Sequence, residues 1–122
     1  MLRAMRFLAG LTGCIAAASA YASTCVAPLS NWGLVQRVPD QAREHPLNVI
    51  DVETEGVLRW NGTAVTEAQV QSYLRVVTKM NSSNITVLKA HPEAPCVTVA
   101  RVRQLMNDVL GCDSNSCAEV VN

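Results

Sequence analysis

From Leu47 to Glu53 apolar and polar residues alternate, which predicts a strand. Glu55-Gly56 breaks the pattern, Val57 to Trp60 resumes it, and Asn61-Gly62 follows at once. Asn-Gly between extended segments is a hairpin signal, because a type I′ turn needs positive φ at both central residues. The period of two puts Leu58 and Trp60 on one face and leaves Val57 and Arg59 on the other. Thr63-Ala64-Val65 then reads as a short step into a helix.

That helix has a marked start. Thr66-Glu67-Ala68-Gln69 fits a capping box, and Val65 and Val70 fall where a hydrophobic staple needs them. Val70, Leu74 and Val77 follow at helical spacing with Tyr73 and Met80 beside them, while Gln71, Arg75 and Lys79 point away. Asn81 to Asn84 ends the helix, and the β-branched run Ile85 to Ala90 predicts a third strand, central and parallel to an earlier one. Pro92 and Pro95 make His91 to Pro95 a loop. A second helix is expected over Thr98 to Leu110, burying Val99, Val102, Met106 and Val109 and stopping at Gly111. Ala118-Glu119-Val120-Val121 closes the pattern as a short strand. The order ββαβαβ predicts an α+β fold, a small sheet with two helices packed on one face.

The chain divides into residues 1–22, an arm over 23–46, and this domain over 47–122. Arg3 and Arg6, the apolar run Phe7 to Ala18 and Ala20-Tyr21-Ala22 read as a signal peptide cleaved near Ala22, which predicts a periplasmic or secreted protein with no membrane span in its mature form. Leu11-Thr12-Gly13-Cys14 is a competing lipoprotein signal, weakened by the short apolar run before Cys14. In the arm, Asn31-Trp32-Gly33 looks like a turn. Trp32 either covers one edge of the core, with Cys25 tethering the segment, or the arm is loose.

Cleavage would leave Cys25, Cys96, Cys112 and Cys117, an even count that suggests two disulfides in an oxidising compartment. A helix between Cys96 and Cys112 would hold them about 18 Å apart, beyond bonding reach. Cys112–Cys117 with Cys25–Cys96 is the preferred pairing of those that remain, and free buried thiols are the competing reading.

Charge and composition remove several function classes. Without Arg3 and Arg6 the chain has eight basic against ten acidic side chains, a formal −2, so nothing draws it to nucleic acid. Aromatic residues make up 4% of the sequence, too few for base-stacking platforms. His45 and His91 lie in Pro-flanked loops, where histidines are ordinarily solvated. Cys112-x₄-Cys117 with His91 is a poor zinc pattern, and no phosphate loop, nucleophile elbow or His-Glu-x-x-His is present. Asn61, Asn81 and Asn84 begin glycosylation sequons that matter only in a host that uses them. No catalytic residue, metal or cofactor is expected.

The run Val52-Glu53-Thr54-Glu55-Gly56-Val57-Leu58-Arg59-Trp60-Asn61-Gly62, leading through Thr63-Ala64-Val65 into a helix, resembles the periplasmic domain of the ExbD/TolR biopolymer-transport family. Downstream, Lys89-Ala90-His91 stands where that family has a basic-Ala-acidic step. Val102 and Met106 match its Tyr-Gly-x-Val-x-x-x-Met-Asp helix, while Val99, Ala100 and Asn107 depart from it. The likeness covers about Leu47 to Val121. The family's transmembrane helix and its proton-carrying aspartate have no counterpart, since Phe7 to Ala18 contains no acid. The resemblance implies a non-catalytic interaction domain that contacts a TonB- or TolA-like envelope protein or the cell wall, with a homodimer as a further arrangement. The strand Ala118, Glu119, Val120, Val121 is the expected partner-binding edge. The competing reading is an unrelated secreted, disulfide-stapled binding protein such as an inhibitor.

Overall fold

The computed structural model describes residues 25, 31–39, 46–80 and 84–121. The signal-peptide and lipoprotein readings of residues 1–22 and the sequon at Asn81 lie outside them. Eight elements follow in order: β1 (Gly33–Val35), β2 (Leu47–Val52), β3 (Leu58–Trp60), β4 (Thr63–Val65), α1 (Glu67–Thr78), β5 (Ile85–Ala90), α2 (Cys96–Leu110) and β6 (Cys117–Val120). The six strands form one sheet in the order β1-β6-β5-β2-β3-β4. This is an α+β fold with two strands more than the predicted ββαβαβ order.

Turn chemistry builds the β2-β3-β4 meander. Asn61 and Gly62 take φ of 48° and 89°, the positive values a type I′ turn demands. Asn61 also extends the β2–β3 ladder beyond the Ile50–Trp60 pair. Its backbone N–H donates to the Val49 carbonyl at 2.9 Å, and its side-chain oxygen accepts from the Val49 N–H at 2.8 Å. Because the turn is so tight, Thr63 to Val65 is forced back antiparallel to β3 and becomes a strand.

Both predicted helices form. The Thr66 hydroxyl accepts from the Gln69 N–H at 3.1 Å, and the Gln69 side chain accepts from the Thr66 N–H at 2.8 Å, which completes the capping box. The second helix starts two residues earlier than expected, at Cys96, directly after Pro95. It ends at Gly111 in the left-handed conformation.

Register shows where the core lies. Leu34, Glu119, Leu88, Ile50 and Trp60 stand abreast on successive strands, so their side chains share a face. That face meets the helices: Ile50, Val52, Leu58 and Leu88 pack with Val70 and Leu74 of α1 and with Val99, Val102 and Met106 of α2. Strand β5 is central, parallel to β2 on one side and to β6 on the other.

The arm contributes structure that the pattern left open. Trp32 is 4% exposed and belongs to the core. Its indole N–H donates to the Asn107 side-chain oxygen of α2 at 2.9 Å. Asn31 donates to the Cys112 carbonyl at 2.8 Å, and the next residues form β1, parallel to β6. The tethered reading of Trp32 is therefore the one observed.

This corrects the expected partner-binding edge. Ala118, Glu119 and Val120 are register partners of β1 as well as lying beside β5, and the Val121 N–H donates to the Val35 carbonyl at 2.8 Å. The backbone groups that an open edge would offer are already bonded. At the two ends of the strand order stand β1 and β4 instead.

Candidate interaction surface

The four cysteines pair in the preferred way. Cys25 bonds Cys96 at the first turn of α2, and Cys112 bonds Cys117, each pair with Cα atoms 5.3 Å apart. The second disulfide spans a loop tightened by Asp113, whose carboxylate accepts from the N–H groups of Asn115 and Ser116 at 2.8 and 2.9 Å. Bonded in this way, all four are structural fasteners.

Glu119 stands apart from the other residues of its strand. Its register partner Leu88 faces the helices, so its carboxylate is carried into the core, 3% exposed. Arg103 on α2 donates to one oxygen at 2.8 Å, while the other oxygen, among the described residues, has no hydrogen-bond partner. Burial, only partly opposed by the hydrogen bond and charge of Arg103, raises the carboxyl above its ordinary value of 4.5. The folded protein therefore holds this proton more tightly than the unfolded chain does. The linked stability is fully present below the unfolded pKa and is lost as pH rises through the raised folded value. Melting temperature should accordingly fall as pH rises from 4.5 toward neutrality, and Glu119→Gln should flatten that part of the curve. A Glu119→Gln profile parallel to wild type throughout would refute this assignment. Half-buried Asp51 is raised in the same direction, chiefly by burial, and adds to the slope with the same sign.

Asp51 belongs to a hollow of about 300 Å³ bordered by Glu53, Arg59, Lys89 and His91, where β2 and β5 end. Glu53 and Arg59 form an ion pair, both side chains about 40% exposed, a setting in which such pairs contribute little. The His91 ring nitrogen Nδ1 accepts from the Glu93 N–H at 3.1 Å. Two carboxylates and two cations balance here, so the hollow has no net pull on a ligand of either sign. Among the described residues, no group of three His, Cys, Asp or Glu side chains is placed to hold a metal ion.

A second surface has a different character. Tyr73 and Val76 on α1, and Met80 two residues past its end, are 39%, 56% and 52% exposed. Tyr73 and Val76 are neighbours at i and i+3 on the helix, and all three residues line one hollow. The Tyr73 ring rests on the half-buried Trp60 ring, centroids 5.3 Å apart and planes inclined by 37°. That hollow, of about 200 Å³, is also lined by Trp60, Val77, Pro46, Asn48 and Asn84.

The helical period did show Tyr73 and Met80 beside the buried stripe. It gave no sign that Val76 stays in solvent. Among the described residues, no helix is long and apolar enough to cross a membrane. The chain matches no family model, no curated protein and no solved structure.

Proposed function

We propose that this chain works outside the cytoplasm as an ExbD/TolR-like interaction domain, accessory to proton-motive-force-driven biopolymer transport or to cell-envelope integrity, with no catalysis of its own. The observation that carries the reading is the exposed apolar group of Tyr73 and Val76 on the capped helix α1 with Met80 just past its end. Apolar side chains left in water side by side on one element are a feature of surfaces that bind other proteins. Two disulfides support an oxidising location. Two helices packed on one face of a sheet, in an α+β domain, are what the resemblance implies. The partner it implies is a TonB- or TolA-like envelope protein or the cell wall.

A photo-cross-linker placed at Val76 in the exported protein tests this in cells. An adduct with a component of a proton-driven envelope complex, or with peptidoglycan, is the expected result. Tight inhibition of a secreted hydrolase without such an adduct would overturn the proposal in favour of a stapled inhibitor.

A further inference from the structure

We infer that Asn61 is a latent deamidation site, held unreactive by the folded hairpin and released when the β2-β3-β4 meander opens. Asn61-Gly62 is the one Asn-Gly pair in the sequence. In such a pair the backbone nitrogen that follows asparagine can attack the side-chain amide, because glycine has no Cβ to obstruct the approach. The deprotonated Gly62 nitrogen bonds to Asn61 Cγ, the Cγ–Nδ2 bond breaks, and ammonia leaves. Water then opens the five-membered succinimide. Aspartate results where the new N–Cγ bond breaks, and isoaspartate where the original peptide bond breaks.

Exposure favours the reaction here. Both residues are exposed, and nothing stands within 4 Å of the place a Gly62 Cβ would take. The hairpin opposes it in two ways. Ring closure needs Asn61 Cβ and the Gly62 nitrogen nearly eclipsed about the Cα–C bond. With φ at 48°, Asn61 lies in the left-handed region, whose ψ carries the next nitrogen to the side of that bond roughly opposite Cβ. The carboxamide is also held toward β2. Its oxygen accepts from the Val49 N–H at 2.8 Å, and its nitrogen donates to Asn48 Oδ1 at 3.2 Å. Swinging Cγ toward Gly62 would break both bonds. The reaction therefore waits until the turn leaves β2.

Either product is permanent, and the two differ in consequence. Aspartate still suits a type I′ turn and still accepts from the Val49 N–H, losing only the bond donated to Asn48. Isoaspartate adds a carbon to the main chain inside a two-residue turn, so it cannot keep the Val49 bonds in register. Asn48 also lines the hollow beside Tyr73 and Val76. A chain that has been open thus carries a new negative charge at the border of the candidate interaction surface.

Peptide mapping of the intact, oxidised protein in mildly alkaline buffer, with and without denaturing urea, tests the inference. Asn61 should convert at least tenfold more slowly without urea. A smaller ratio would overturn the inference, because the turn would then give no protection. Chains converted in urea and then refolded supply the second readout. Those bearing isoaspartate should melt below wild type, while Asn61→Asp should melt close to it. Isoaspartate chains that melt with Asn61→Asp would overturn the assignment of the lock to this turn.

Discussion

Trp32→Ala should destabilise the protein by about 3–5 kcal/mol, the range for removing a buried aromatic side chain. Trp32 lies near the start of the described chain, yet it is 4% exposed and sits among core residues of both helices and the sheet. Truncation would open a cavity that a three-residue strand on one side and a rigid helix on the other cannot easily fill. It would also strip the Asn107 side-chain oxygen of its indole donor. Urea unfolding with the disulfides intact is the measurement, and a fall in melting temperature of more than about 10 °C should accompany it. Trp32→Phe keeps most of the volume and should recover most of the loss. Leu34→Ala, at a site 59% exposed, should stay within about 0.5 kcal/mol of wild type. A loss under 1 kcal/mol for Trp32→Ala would show that the arm is not part of the cooperative core.

Replacing Cys25 and Cys96 together by serine should cost about 4 kcal/mol, the loop-closure estimate for a cross-link of this span. The two cysteines are 71 residues apart, so the bond forbids most of the unfolded chain's freedom. The folded state keeps its other ties to the arm: β1 on β6, Trp32 on Asn107, and Asn31 on the Cys112 carbonyl. The variant should therefore show a native-like spectrum with a lower urea midpoint. The Cys112–Cys117 bond closes a far shorter loop and by the same reasoning contributes only about 2 kcal/mol. Equal losses from the two double replacements would contradict the entropic account.

What could be read from the residues alone followed the range of each signal. The capping box at Thr66, the Asn61-Gly62 turn and the Gly111 helix end are local, and all three appear as expected. The central place of β5 was legible because Ile85 to Leu88 lacks the polar alternation of a half-open strand. Strand β1 was not legible. Gly33-Leu34-Val35 is too short to carry a period, and its extended form depends on pairing with Ala118 to Val120 at the other end of the chain. Missing β1 made β6 look like an edge, so the proposed contact strand was misplaced. The burial of Glu119 was not legible for the same reason, since only register places it opposite Leu88 on the helix-facing side.

The pairing of β1 with β6 also imposes an order in time. Contacts between distant parts of a chain must overcome loop-closure entropy before they repay it, so they form late. The β2-β3-β4 meander and α1 can assemble from neighbouring residues, and Cys112 can find Cys117 across a five-residue separation. Strand β1 and Trp32 must wait until β6 and α2 exist. In that interval the outer side of β6 is an unpaired edge, the kind of transient surface through which chains stick to one another. Oxidation of Cys25 with Cys96 after the arm has docked would tie the arm to α2 and keep that edge covered.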